Sequence, residues 1–145
     1  MLSNGNTTEG TDTDGGHRHN LVHSRITHGV LSAAYKVHSR LGPGLLERPY
    51  KVCLGYELNR LGLSFEAEKP FPVIYDDITI SLGYRVDFIV ENEVIVEVKA
   101  VEAILPVHEA QLLSYLKLSR KRVGLLINFN VEHLRNGIRR RISGY

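Results

Sequence analysis

Two neighbouring segments, residues 78–91 and 93–100, alternate between apolar and polar side chains along much of their length. A period of two is the pattern of a β-strand, in which successive side chains point to opposite faces of a sheet. Only a short polar turn around Asn92 separates the two segments. The sequence therefore predicts a β-hairpin over residues 78–100, and a chain that contains it must build a sheet around it.

The predicted hairpin gathers charged side chains on one of its faces. Glu97 and Lys99 are two residues apart in the second strand and should project from the same face. Asp87 lies in the polar row of the first strand, so pairing of the strands should bring Asp87 beside Glu97. Arg85 shares the parity of Asp87 and is a candidate phosphate contact in the same cleft. The predicted apolar row of the first strand consists of Tyr84, Val86, Phe88 and Val90.

Asp87 and Glu97 would repel each other on a sheet unless a cation neutralised them. Mg²⁺ or Mn²⁺ prefers such hard oxygen ligands, and the carbonyl of Val98 can supply a further one. The Lys99 ammonium can hold or help deprotonate an attacking water, or offset charge on a phosphate. Together, these metal ligands and the Lys99 ammonium are the groups that metal-dependent hydrolysis of a phosphodiester requires. A solvated strand face with an Asp87–Lys99 surface pair is the open alternative.

The rest of the chain predicts a mixed α/β fold. A length of 145 residues suits one domain, and 43% hydrophobic residues suffice for a core. We expect residues 1–20, rich in Gly, Thr, Asn and Asp, to form a disordered tail before a domain over residues 21–145. The predicted order, α-α-β-β-β-α-β-α, implies a mixed central sheet flanked by helices. Helices are expected over residues 26–40, 46–61, 107–119 and 132–142, and further extended segments over residues 64–75 and 122–128.

Composition narrows the class of protein further. The lone cysteine, Cys53, excludes a disulfide framework within one chain and a four-cysteine zinc site, and it fits a reducing, cytoplasmic setting. No apolar run approaches the roughly 20 residues that span a bilayer. The net charge of +2 neither argues for nor against nucleic acid. His17 and His19 fit a solvated tail or a metal-binding tract, and their spacing matches no standard zinc pattern.

Asp87 followed by Glu97-Val98-Lys99 resembles the signature of the PD-(D/E)XK nuclease superfamily. Residues 44–50 read Gly-Leu-Leu-Glu-Arg-Pro-Tyr and match the pattern that names the GxxExxY protein family, a branch of that superfamily. The resemblance implies a restriction-endonuclease-like fold. It also implies cleavage of nucleic acid with Mg²⁺ or Mn²⁺, with DNA rather than RNA as the expected substrate, and a role in repair or defence. It covers residues 26–142, and residues 105–118 and 123–129 also resemble that family closely.

The resemblance also implies roles for residues outside the hairpin. Glu47 corresponds to the N-terminal acidic residue of the superfamily and would contact the metal directly or through water. Gln111 and Tyr115 match a QxxxY element and share one helix face. Gln111 would orient the site or the nucleic-acid backbone, while Tyr115 would pack in the core or contact a phosphate. Gly44 and Tyr50 are interpreted as structural.

Other charged residues allow two interpretations each. His108 would face the cleft or cap a helix. Arg120 and Lys121 belong to a basic cluster that would neutralise phosphates or end a solvated helix.

Two rival functions stay open at this point. One is a nucleic-acid-binding module with a vestigial site, and the other is a structural or partner-binding domain. A nuclease of 145 residues offers few surfaces for specificity, which favours a homodimer or a larger assembly.

Overall fold

The structure is a computed structural model that describes the backbone of residues 14–144 and the side chains of residues 23–144. Residues 1–13 lie outside it, so the expected tail over residues 1–20 stays a prediction, although the first helix already begins at Asp14. The side chains of His17 and His19 also lie outside the described part. No helix among the described residues has the length and apolar character needed to cross a membrane.

The fold is the predicted mixed α/β arrangement, a five-stranded sheet flanked by helices. The strands are ordered β1-β2-β3-β4-β5, and every neighbouring pair is antiparallel except the parallel pair β3–β4. The crossover between that parallel pair carries helix α3, as such a connection requires. The elements are α1 Asp14–Leu41, α2 Glu47–Arg60, β1 Phe65–Tyr75, β2 Ile78–Val90, β3 Val94–Lys99, α3 Pro106–Ser119, β4 Val123–Asn128, a 3₁₀ turn Leu134–Gly137 and β5 Ile138–Ile142.

The predicted final helix over residues 132–142 is wrong. That segment forms the 3₁₀ turn and then β5, which pairs antiparallel with β4 from Val123↔Ile142 to Ile127↔Ile138. Every residue of β4 is buried, so an unpaired edge there would leave buried backbone N–H and C=O groups without partners. The hydrogen bonds that β5 forms with the buried edge of β4 therefore outweigh the preference for a helix that the apolar spacing indicates.

The core lies on both faces of the sheet. Helices α1 and α2 cover one face, where Val30, Leu54 and Leu125 belong to a large buried cluster. Helix α3 covers the other face, where Leu112 and Leu126 belong to a smaller cluster. Neighbouring residues of β4 thus supply opposite clusters, which explains why that strand is apolar along its length rather than alternating.

The predicted apolar row of β2 does not share one face. Phe88 and Val90 pack in the cluster with α1 and α2, whereas Val86 packs with α3, together with the partly buried Tyr84. The change of face falls at Asp87, between the two pairs. Simple alternation cannot predict it, because it assumes a strand that stays regular throughout.

Candidate active site

Strands β2 and β3 separate where the candidate residues begin. Their regular pairing runs from Val90↔Val94 to Phe88↔Val96. Beyond it, the backbone N–H of Asp87 donates to Glu97 Oε2 at 2.9 Å. The backbone N–H of Val98 donates in turn to Asp87 Oδ2 at 2.8 Å. Carboxylates thus replace the ladder carbonyls, and the predicted approach of Asp87 to Glu97 is found.

Glu97 lies in an environment that opposes its negative charge. The residue is 6% exposed. Burial, followed by the negative charge of Asp87, raises the pKa of the Glu97 carboxyl to about 8, although the Asp87 N–H and the Lys99 and Lys51 charges act in the opposite direction. At neutral pH the protonated form of Glu97 is therefore favoured, and a bound divalent cation would favour the ionised form.

Lys51, which was not predicted from the sequence, lies at the centre of the acidic side chains. Its Nζ is 2.8 Å from Glu68 Oε2, 3.3 Å from Asp87 Oδ1 and 3.5 Å from Glu47 Oε2. Burial acts to lower the pKa of Lys51, but hydrogen bonds and charges from Glu68 and Asp87 outweigh it and raise that pKa above its ordinary range. Lys51 is therefore a charged ammonium that links α2 to the hairpin.

Glu68 is the second residue that the sequence did not indicate. It lies within β1 and adopts a left-handed backbone with φ 55°, which is costly for a residue other than glycine. Besides Lys51, its carboxylate lies 3.9 Å from Arg85 Nη1. Arg85 thus lies at the edge of this group, and its contact with a phosphate stays a prediction. The strained backbone places the Glu68 carboxylate among the candidate residues.

Lys99 and Gln111 also come together, across the boundary between β3 and α3. Lys99 Nζ donates to Gln111 Oε1 at 3.5 Å. Gln111 also acts on Tyr115, because its side chain lowers the pKa of the Tyr115 hydroxyl. Burial, then the negative charges of Glu97 and Asp87, raises the pKa of the Tyr115 hydroxyl, so Tyr115 lies within the electrostatic field of the acidic pair.

Tyr115 is also a packing residue. Its ring stacks on Tyr84 with centroids 4.6 Å apart, and Tyr84 stacks on Phe71 at 5.3 Å. The packing interpretation of Tyr115 is therefore confirmed, and a phosphate contact stays a prediction.

Three further candidates lie at the margins. His108 Nδ1 accepts a hydrogen bond from the Leu105 N–H at 3.0 Å, so the capping interpretation is confirmed. Arg120 is the C-cap of α3 and Lys121 follows it, nine and ten residues beyond Gln111. At the rise of a helix this separates them from Gln111 by roughly 14 Å along the axis. The structure does not bring this basic pair to the carboxylates.

Gly44 and Tyr50 hold the turn that precedes Glu47. Gly44 has φ 103°, which only glycine adopts readily. The buried Tyr50 hydroxyl donates to the Gly42 carbonyl at 2.6 Å and accepts from the Leu45 N–H at 3.2 Å. Both residues therefore have the structural roles that were expected.

The donor set at the parted strands fits a divalent cation. Asp87 and Glu97 offer carboxylate oxygens, which are suitable ligands for Mg²⁺ or Mn²⁺. The Val98 N–H points toward β2, and in a strand the carbonyl of the same residue points to the same side. Within the described part of the chain, no group of three or more His, Cys, Asp or Glu side chains is arranged to hold a metal. The carboxylates of Glu47 and Glu68 instead lie 3.5 Å and 2.8 Å from the Lys51 ammonium.

Comparison with known proteins gives one match. A family model described as the PD-(D/E)XK nuclease superfamily matches residues 24–141, well over half of the chain. No curated protein and no solved structure matches.

Proposed function

The chain belongs to the PD-(D/E)XK nuclease superfamily, whose members are in general hydrolytic nucleases, and from this premise we propose that it is a Mg²⁺- or Mn²⁺-dependent nuclease that cleaves DNA. The observation that supports this most is the pair of hydrogen bonds in which the Asp87 N–H donates to the Glu97 carboxylate and the Val98 N–H donates to the Asp87 carboxylate. Within the superfamily we assign it to the GxxExxY family, because Gly44, Glu47 and Tyr50 occupy the pattern that names it.

Asp87, Glu97 and the Val98 carbonyl would hold the metal, with Glu47 contributing directly or through water. The metal polarises the phosphate and lowers the pKa of the attacking water when bound. The Lys99 ammonium, positioned by Gln111 Oε1, would orient that water and offset the charge that develops on the phosphate. Gln111 thus acts through Lys99.

Substrate binding would use cations around this cleft. Arg85 lies 3.9 Å from Glu68 and is more than half exposed, so it can turn to a phosphate. Arg120 and Lys121 would contact the backbone of a longer nucleic acid, because they lie along α3 away from the carboxylates. Tyr115 would contact a phosphate near Gln111.

The competing function is a nucleic-acid-binding or partner-binding module that keeps the nuclease fold without cleavage. The observation in its favour is the ammonium of Lys51 at Asp87, which lies where a metal would be needed. A homodimer or a larger assembly would be compatible with either function. Light scattering would measure the mass of the protein in solution and so identify its oligomeric state.

The deciding experiment incubates the protein with labelled linear DNA, circular DNA and RNA, each with Mg²⁺, Mn²⁺ or EDTA. The expected result is cleavage of DNA with metal, none with EDTA, and cleavage by Lys99→Ala that is at least about 10²-fold slower. Cleavage of circular DNA would show internal cutting. No cleavage of any substrate, together with retained binding to nucleic acid, would replace the nuclease proposal by the binding module.

A further inference from the structure

The ammonium of Lys51 forms ion pairs with three carboxylates from three different elements. Glu47 belongs to α2, Glu68 to β1 and Asp87 to β2, and each has an oxygen within 3.5 Å of Lys51 Nζ. A lysine has three N–H donors, so these contacts can use all of them. The Lys51 side chain is 18% exposed, so water screens the group only in part. Lys51 therefore supplies internally the positive charge that these carboxylates need.

The contact with Asp87 falls on one particular oxygen. Asp87 Oδ2 accepts the Val98 N–H, a bond that closes the gap between the strands. Asp87 Oδ1 is the other oxygen, and Lys51 Nζ lies 3.3 Å from it. Because Oδ2 already accepts the Val98 N–H, Oδ1 is the oxygen that a metal can take without sharing an occupied acceptor. The ammonium and the metal would consequently compete for the same atom.

We propose that Lys51 is a resident cation that the divalent metal must displace from Asp87 Oδ1, so that metal binding is an exchange of one cation for another. This inference rests on the proposed metal-dependent function. It assigns to Lys51 a role in setting metal affinity, separate from the role of Lys99 at the attacking water. Lys51 is thus a residue that determines affinity rather than a catalytic one.

After displacement from Asp87, the Lys51 ammonium can remain paired with Glu68. Its shortest contact is with Glu68, at 2.8 Å, and Glu68 is held in β1 between Ala67 and Lys69, which both pair with β2. Lys51 can keep this contact and release Asp87, because a lysine side chain has four rotatable bonds. Glu68 would then hold Lys51 beside the site in the metal-bound protein.

A purely structural ion pair predicts the opposite effect on metal binding. If Lys51 only held α2 against the hairpin, its removal would leave Glu47, Glu68 and Asp87 less ordered, and the metal would bind more weakly. If Lys51 competes, its removal leaves a surplus of negative charge around Asp87 Oδ1, and the metal binds more tightly. The sign of the change distinguishes the two roles.

The test is Mn²⁺ binding to the full chain by isothermal titration calorimetry, with the wild type, Lys51→Met and Lys69→Met. Methionine keeps the unbranched stem of the lysine side chain and lacks the ammonium. Lys69 is the matched control, because it forms a 2.9 Å pair with Glu66 on the same strand as Glu68. Lys51→Met should bind Mn²⁺ roughly tenfold more tightly than the wild type, and Lys69→Met should bind within about twofold of it.

Equal or weaker binding by Lys51→Met, with binding by the wild type retained, would overturn the exchange and leave the nuclease proposal intact. No Mn²⁺ binding by the wild type or the variant would overturn both. If Lys51→Met does not fold, Lys51→Gln serves in its place, since its amide can still donate to Glu68. The same tighter binding is expected there, and unchanged or weaker binding would again refute the exchange.

Discussion

The ammonium of Lys99 donates to Gln111 Oε1 across 3.5 Å and thereby joins β3 to helix α3. Lys99 is partly exposed, so its positive end is accessible from the cleft beside Glu97. Replacing Lys99 with Ala should reduce cleavage by about 10²–10⁴-fold, because the attacking water would lose its positioned cation. The melting temperature should stay close to that of the wild type, since no core side chain is removed.

Lys117→Ala is the control for that variant, because Lys117 is an exposed lysine on α3. It should cleave at the wild-type rate. Unchanged cleavage by Lys99→Ala, measured in the same assay, would remove Lys99 from the proposed site.

Asp87→Asn should separate metal binding from folding. The amide oxygen of Asn can still accept the Val98 N–H, so the gap between the strands stays closed. Without the negative charge, Mn²⁺ should bind at least about tenfold more weakly. The measurement is the rise in melting temperature on adding Mn²⁺, which should be large for the wild type and small for the variant.

The matched change is Asp77→Asn, at the exposed tip of the β1–β2 hairpin. Its response to Mn²⁺ should equal that of the wild type. A full Mn²⁺ response in Asp87→Asn would show that the metal binds elsewhere.

The raised pKa of Glu97 predicts a pH dependence of stability in EDTA. The pKa is about 8 in the folded protein against an ordinary 4.5, so the folded state binds more protons than the unfolded chain between those values. Stability from this residue is therefore present below about pH 4.5 and is lost as the pH rises toward 8. Thermal unfolding of the wild type and Glu97→Gln from pH 5 to 8.5 measures it.

Glu97→Gln cannot ionise at this position, so its melting temperature should fall less over that range than that of the wild type. Glu102→Gln, at an exposed position after β3, should behave like the wild type. Parallel pH profiles for the wild type and Glu97→Gln would contradict the raised pKa.

Tyr50→Phe tests the structural role of the turn before Glu47. The change removes the hydroxyl that bonds to the Gly42 carbonyl and the Leu45 N–H. The free energy of unfolding should fall by about 1–3 kcal/mol, because a partly buried carbonyl loses its donor. Chemical denaturation measures it, and Mn²⁺ affinity should stay within about twofold of the wild type.

Tyr56→Phe provides the comparison, since Tyr56 is 61% exposed on the same helix. Its unfolding free energy should change by less than about 0.5 kcal/mol. A strong loss of metal affinity in Tyr50→Phe would mean that the turn contributes to the site directly.

The sequence predicted the parts of the site that depend on strand parity. Glu97 and Lys99 are two residues apart in a regular strand, and the short turn at Asn92 brings Asp87 to them. Lys51 was not predicted, because its contact with Asp87 joins residues 36 positions apart on different elements. Glu68 was not predicted either, since alternation gives no indication of a left-handed backbone inside a strand.

Strand β5 also could not be predicted from local sequence patterns. Leu134, Ile138 and Ile142 are spaced by four and fit a helix face. Whether the segment becomes a strand depends on the open edge of β4, which is a property of the assembled sheet. The periodicity of residues 132–142 alone therefore cannot predict that this segment forms a strand.

The turn between β2 and β3 has a consequence for how this protein can vary. Loops at hairpin ends normally tolerate added residues. Here Val90 must face Val94, because Asp87 lies three residues before Val90 and its partners Glu97 and Val98 lie three and four residues after Val94. One inserted residue beside Asn92 would slip the pairing, turn alternate side chains to the wrong face and separate the two carboxylates. The length of a surface loop is therefore as strictly constrained as the identity of the acidic residues themselves.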